Sequence, residues 1–284
     1  MQTIEIQTAD NHKLIATEFI PSQPNQKIIL INSALAIKQK FYYDFAEMLC
    51  NAGYHVYTYD YRSIGQSKHT KNLKGDKTLW RDWAQKDFTA VANFLKSKHP
   101  DQRMYLIGNS YGGNCLGMSQ SSTYFSAFIT VGAQHGYWRL FWANKQPTLF
   151  MLWYVFIPVL SNIYGYLPSK LLGLGEELPK GVALEWAKVC RDKNWLFPYI
   201  KESENFYPNI TQPILAISLE DDFYAPKKAV DKLHHEIYHN AKIDRKHILL
   251  AEVGGGPVGH FGFFRKKFQS YFGKMTLEWL EKHS

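Results

Sequence analysis

The sequence is short of the features that mark several protein classes. Its 284 residues hold only three cysteines, Cys50, Cys115 and Cys190, far apart and without a CxxC or CxH companion. Neither a disulfide framework nor a metal site is implied, and a reducing compartment suits the chain. The opening residues, Met1 to Thr8, lack the basic and then apolar run of an export signal, so the expected location is cytoplasmic. There is no low-complexity tract, no internal repeat and no block of like charge. Zinc-finger spacing and an aromatic RNA-binding signature are also missing. The net charge is +8, yet the 33 basic residues are scattered among 25 acidic ones and read as solvated surface, so nucleic acid is not an expected partner.

Long apolar runs are scarce, with one exception. Gln146 to Ser169 carries no charge and contains the run Leu149 to Leu160. A membrane-spanning helix takes about 20 mostly apolar residues. Here Pro147, Pro158 and Pro168, together with Ser161 and Asn162, cut the run short. No transmembrane span is expected, and a weak contact of this segment with a membrane surface stays open.

What is present is an alternation of strand and helix patterns. Thr3 to Gln7 and Leu14 to Phe19 flank the turn-like Asp10-Asn11 and read as a hairpin. Lys27 to Ser33 and His55 to Asp60 are short strands with a helical pattern between them that ends at Gly53. Further helices are expected over 77–98, after Ser110, over 227–239 and over 264–282; further strands over 104–107, 127–131, 214–218 and 247–250. Such βαβ units imply a mostly parallel sheet, here of eight strands, flanked by helices. The rhythm breaks between Ala133 and Tyr207, where Trp, Tyr, Phe, Pro and Leu accumulate without a buried strand. This segment is expected to be a helical cap, dividing the chain into a core of 1–132 and 208–284 and an insertion of 133–207.

Three segments carry chemistry. Gly108-Asn-Ser-Tyr-Gly112 sits between a buried strand and a helix, and a nucleophilic serine needs such a turn to push its Oγ clear of the sheet. By itself the pattern recurs by chance; its placement makes Ser110 the candidate nucleophile. A serine hydroxyl needs a base to take its proton and an acid to hold that base. Downstream, the strand at Ile214 runs into Glu220, Asp221 and Asp222 ahead of Pro226, and adjacent loop carboxylates cannot be told apart by spacing. His260 lies in a glycine-bearing loop before the last helix. An oxyanion also requires backbone donors: Tyr111, next to the serine, and either Ala34 or Leu35 in the loop after the third strand.

These segments resemble those of the α/β-hydrolases. The acid loop is similar to the family's, in which the catalytic aspartate precedes the proline by four residues, which implies Asp222 with Asp221 as the alternative. The Gly-His-Phe segment around His260 is similar to the one that supplies the family's base. Asp60-Tyr-Arg-Ser-Ile-Gly-Gln-Ser67 resembles a structural turn of the family, with Ser63 where glycine is usual, and Asn32-Ser33 stands where His-Gly is common. Phe41-Tyr42, Asp60 to Arg62 and Gly136 to Arg139 are similar to a group of bacterial α/β-hydrolases of unassigned substrate. The resemblance implies the α/β-hydrolase fold and a serine hydrolase without cofactor or metal, acting through an acyl-enzyme on a small apolar acyl ester under the cap. Acyl transfer by the same triad, or binding without catalysis, are the alternatives. His234, His235, His239 and His247 are expected on exposed faces, and His12, His55, His69, His99 and His283 in surface or packing roles.

Overall fold

Strands that are apolar on both faces must be covered on both sides, and that requirement organises the molecule. The computed structural model describes residues 1–284. Its strands are β1 (Gln2–Gln7), β2 (Lys13–Phe19), β3 (Lys27–Asn32), β4 (His55–Tyr59), β5 (Arg103–Asn109), β6 (Phe125–Val131), β7 (Tyr166–Leu167), β8 (Leu178–Pro179), β9 (Ile214–Leu219) and β10 (Ile243–Ile248). Eight of them form one sheet in the order β1-β2-β4-β3-β5-β6-β9-β10; β7 and β8 make a separate two-residue ribbon. β2 is antiparallel to β1 and β4, and every other pairing in the large sheet is parallel. β5 lies in the middle, so the chain leaving its carboxyl end emerges at the centre of the sheet edge where ligands of open α/β sheets bind.

Two apolar layers sandwich this sheet. One joins Phe45, Leu49, Phe263, Phe272 and Leu280 to Ile29, Ile107 and Ile217. The other continues from Trp83, Phe88 and Leu106 without a break into Leu149, Trp153 and Trp195 of the segment between β6 and β9. That segment therefore shares a core with one face of the sheet. Ion pairs reinforce the seam: Arg81 to Glu185 at 3.1 Å, Lys38 to Glu176 at 3.2 Å and Lys68 to Glu177 at 3.4 Å.

Several elements depart from the sequence reading. The helix expected from Lys77 begins only at Trp83. Ahead of it, Asp76 accepts the Thr78 N–H and Asp82 the Leu79 N–H, both at 2.8 Å, and these local bonds compete with helix formation. The last strand is Ile243–Ile248, starting four residues and ending two residues before the expected 247–250. As an edge strand it tolerates Asp244, Arg245 and Lys246, while Leu250 falls in a turn. The prolines do not interrupt the apolar stretch, which is one helix, Ala143–Tyr164. Pro147 occupies the first turn of Gln146–Met151, where its missing N–H costs nothing, and Pro158 follows a π-helical turn, Leu152–Phe156, that accommodates its ring. His234, expected to be exposed, is fully buried, because its ring bridges the Val230 carbonyl and the Thr130 hydroxyl, each at 2.8 Å.

The Asp60 turn is structural. The buried Asp60 carboxylate accepts the N–H groups of Gln39 (2.7 Å) and Gln66 (2.9 Å), and Arg62 pairs with Asp87 and Asp10 at 2.6 and 2.7 Å. Ser63 sits at φ +66°, the left-handed region that explains why glycine is usual there.

Candidate active site

β5 delivers Ser110 to the middle of the sheet edge. The strand ends at Asn109 and the helix Tyr111–Asn114 starts at once, leaving Ser110 at φ +49° and ψ −113°. This conformation strains a residue with a Cβ. It is held by hydrogen bonds: the Ser110 N–H donates to the Val131 carbonyl at 2.8 Å, and the Ser110 carbonyl accepts from Gly113 and Asn114 at 2.9 and 3.0 Å. Contact dictates the flanking glycines. A Cβ on Gly108 would lie 2.5 Å from the Gly112 carbonyl oxygen, and one on Gly112 would lie 2.3 Å from that of Asn32.

The loop after β9 brings a carboxylate to His260. Asp222 Oδ2 lies 2.6 Å from His260 Nδ1, while Asp222 Oδ1 accepts the N–H groups of Tyr224 (2.9 Å) and Ala225 (3.1 Å). Asp221 does something else. It accepts the N–H groups of Val258 and Gly259 at 2.8 and 2.9 Å and so fixes the backbone that carries His260. Glu220 accepts the Leu250 N–H at 2.8 Å. Of the three carboxylates, Asp222 alone faces the imidazole. A carboxylate oxygen only accepts, so the proton of a neutral imidazole is drawn to Nδ1 and Nε2 is left as a base. No hydrogen bond joins Ser110 Oγ to His260; both side chains, each 9% exposed, open on the same cavity, and such contacts shorten in the substrate complex.

The candidate oxyanion donors separate in the same way. The Tyr111 N–H, first in its helix, has no intrahelical acceptor. In the loop after β3, the Ala34 N–H donates to the Tyr42 hydroxyl at 2.8 Å. Of the two alternatives, Ala34 has its N–H engaged and Leu35 is the one whose N–H is free. The Tyr42 hydroxyl donates in turn to Asn109 Oδ1 at 3.0 Å, and Asn109 Nδ2 donates to the Val131 carbonyl at 3.1 Å. Tyr42 thus ties the loop after β3 to the residue preceding Ser110. Burial pushes its phenol well above the usual range. Nothing in the local sequence singled out Tyr42 or Asn109 for this task, since the partners are 67 residues apart.

The cavity has a volume of about 320 Å³. Leu35, Trp80, Leu174, Trp186 and Tyr224 make it mostly apolar; Asn114 and Gln134 are its amides, and no carboxylate lines it. Gly173 to Gly175 and Trp186 come from the segment between β6 and β9, and a narrower recess behind them is lined by Phe141, Leu149, Trp153 and Trp195. Away from this site, Glu18, His55 and His99 bring potential metal-ligating atoms within 4.8 Å of one another. A cation is already there: Lys98 Nζ lies 2.5 Å from Glu18 Oε1, and the Tyr57 hydroxyl bridges Glu18 and His99 at 2.5 and 2.7 Å.

A family model described as serine aminopeptidase, S33, matches residues 15–163, a span that includes the Asp60 turn and Ser110 and ends before Asp222. An esterase from Pyrococcus furiosus superposes with a TM-score of 0.63 at 16% identity, covering 99% of this chain and 90% of that one. An esterase from Exiguobacterium antarcticum gives 0.60 at 16% identity, with 98% and 99% covered. The α/β-hydrolase GrgF from Penicillium gives 0.63 at 17% identity, with 99% and 98% covered. At these identities the likeness is one of fold, and the fold is that of the α/β-hydrolases. No curated protein matches in sequence.

Proposed function

We propose that this chain, which belongs to the serine aminopeptidase S33 family of hydrolases, is a serine esterase that cleaves small apolar acyl esters through an acyl-enzyme. The observation that carries the reading is the 2.6 Å contact of Asp222 with His260 on the cavity into which the strained Ser110 points.

His260 Nε2 takes the Ser110 proton as Oγ bonds to the acyl carbonyl carbon, and the carbonyl oxygen becomes an oxyanion facing the N–H groups of Tyr111 and Leu35. Collapse breaks the bond to the leaving oxygen, which receives the proton from His260. Water then repeats the sequence: His260 removes its proton, its oxygen attacks the acyl carbon, and Ser110 leaves reprotonated. Asp222 orients the imidazole and stabilises its charged form throughout. The segment 133–207 acts as the cap that covers the acyl group.

An aminopeptidase would have to bind a terminal ammonium, and a buried ammonium needs an anionic partner. The cavity offers indoles, aliphatic side chains and two amides, which supports a neutral acyl group. The test is covalent labelling with a fluorophosphonate, together with hydrolysis of a series of p-nitrophenyl acyl esters. Wild type is expected to label and to hydrolyse; Ser110→Ala is expected to do neither and His260→Ala to lose hydrolysis. Equal labelling of Ser110→Ala would remove the nucleophile from the scheme.

A further inference from the structure

The helix Ala143–Tyr164 buries one narrow stripe, Leu149, Trp153, Ile157 and Ser161, at a spacing of four residues. This stripe fastens it along its length; the Trp153 and Trp186 rings, for example, pack edge to face with centroids 4.7 Å apart. The outer face is apolar as well: Phe150, Met151, Tyr154, Phe156, Val159 and Ile163 are between 40% and 70% exposed. Its most apolar window has a mean hydropathy of 1.4 and is 22% buried. A surface helix ordinarily turns polar groups outward, and a contiguous exposed apolar face marks an interaction site. Leu171, 73% exposed, follows the helix in sequence and leads into Gly173 to Gly175, a wall of the Ser110 cavity.

Charge identifies the occupant. No Asp or Glu occurs between Asp101 and Glu176, and the charged residues in that interval are Arg103, Arg139, Lys145 and Lys170. Arg139 and Lys145 stand at the start of the helix; Lys170 lies just past its end, where the exposed Lys74 rests its stem against Gly165. Exposed Trp142, Tyr154 and Tyr164 add rings with one apolar and one polar end, suited to a headgroup boundary. Two copies meeting through this face would set basic rim against basic rim, whereas anionic headgroups complement it.

We propose that the outer face of Ala143–Tyr164 docks on an anionic phospholipid bilayer, lying in the interface with its inner stripe still packed on the protein. If the esterase reading holds, the docked face adjoins a wall of the cavity that takes the substrate. Docking itself does not depend on that reading, and Ser110→Ala is included so that the two fail separately.

The experiment is co-flotation of the full chain with phosphatidylcholine vesicles, with and without phosphatidylglycerol. Wild type and Ser110→Ala are expected to float with the phosphatidylglycerol vesicles and to be released as salt is raised. The triple substitution Phe150→Ser, Phe156→Ser, Ile163→Ser is expected to lower the bound fraction at least about tenfold, with the melting temperature measured alongside because Phe150 and Phe156 are only 42% and 44% exposed. Should it melt lower, Lys145→Glu with Lys170→Glu serves instead and is expected to abolish the preference for phosphatidylglycerol. Wild type that stays in the aqueous phase with both vesicles overturns the proposal, as does floating of the altered proteins equal to wild type. A concentration-dependent dimer broken by the triple substitution would assign the face to a second copy.

Discussion

Asp222→Asn replaces one oxygen by an amide nitrogen and changes almost no volume, yet the surroundings of Asp222 dictate a severe outcome. Oδ1 accepts two backbone N–H groups, from Tyr224 and Ala225. In the asparagine variant the carbonyl oxygen must keep that position. Turning the amide round would leave two buried donors unpaired and facing an NH₂, at about 1–3 kcal/mol each. The NH₂ group therefore faces His260 Nδ1, at a site where the contact is 2.6 Å in the wild type. Two N–H groups cannot point at each other, so the ring proton moves to Nε2. The imidazole then presents a donor to Ser110 and cannot accept its proton. Enforcing the wrong tautomer in a serine triad costs about 10⁴ in kcat, equivalent to about 5.4 kcal/mol at 1.36 kcal/mol per decade. With hydrolysis of a short p-nitrophenyl ester as the assay, kcat is expected to fall by about that factor while KM and the melting temperature hardly move, because the cavity and both backbone contacts are intact. Asp221→Asn is the companion measurement, with an expected loss below about tenfold, since its carboxylate only holds the N–H groups of Val258 and Gly259. A variant Asp222→Asn within about tenfold of wild type, or equal damage from Asp221→Asn, would refute the assignment.

Tyr42→Phe deprives the Ala34 N–H of its acceptor and Asn109 Oδ1 of its donor, both buried; chemical denaturation is expected to show a loss of about 1–3 kcal/mol for each group left unpaired, and steady-state kinetics a fall in kcat larger than any rise in KM. Gly112→Ala drives a Cβ to 2.3 Å from the Asn32 carbonyl, and overpacking of this kind is expected to cost about 1–3 kcal/mol or more in thermal unfolding; an unaltered melting temperature would mean that the elbow and β3 are not in backbone contact. His234, fully buried, is held neutral with its pKa lowered to about 4 from an ordinary 6.5. The unfolded chain binds this proton first, so as pH falls from 6.5 to 4 stability drains away at about 1.4 kcal/mol per pH unit from this group. Urea titrations across that window are expected to show a shallower acid slope for His234→Gln, and parallel slopes would contradict the buried neutral ring.

Much of this site was legible because its chemistry is local. Gly108 to Gly112 announces a tight turn between strand and helix, and the order of Ser110, Asp222 and His260 is the one that the resemblance to the α/β-hydrolases implies. The apolar runs at Lys27, His55 and Ile214 are strands because only a sheet covered on both faces needs such residues. What escaped notice depends on long-range contact. Asp221 and Asp222 are chemically identical; the resemblance favours Asp222 by its spacing to Pro226, but the task of Asp221 shows only in the chain 38 residues later. Ala34 and Leu35 divide because Tyr42 folds back onto one of them. His234 looked like a surface residue because a polar side chain on a short helix is usually solvated; its burial arises from Thr130, 104 residues away. Pro147 and Pro158 looked like breaks because their tolerance depends on where a helix begins and on a π turn that the residue pattern does not mark.

The adjacent carboxylates of the β9 loop have a mechanical consequence. One grips the backbone of the loop after β10 and the next grips the imidazole on that backbone, so the two loops are stapled at two neighbouring points. Moving either loop therefore strains two sets of contacts to the other rather than one. Ser110 is anchored elsewhere, by its N–H to Val131 of β6, with no bond to the stapled pair. The one link among Ser110, His260 and Asp222 that no hydrogen bond makes is that between Oγ and Nε2, and it is the link a substrate must complete.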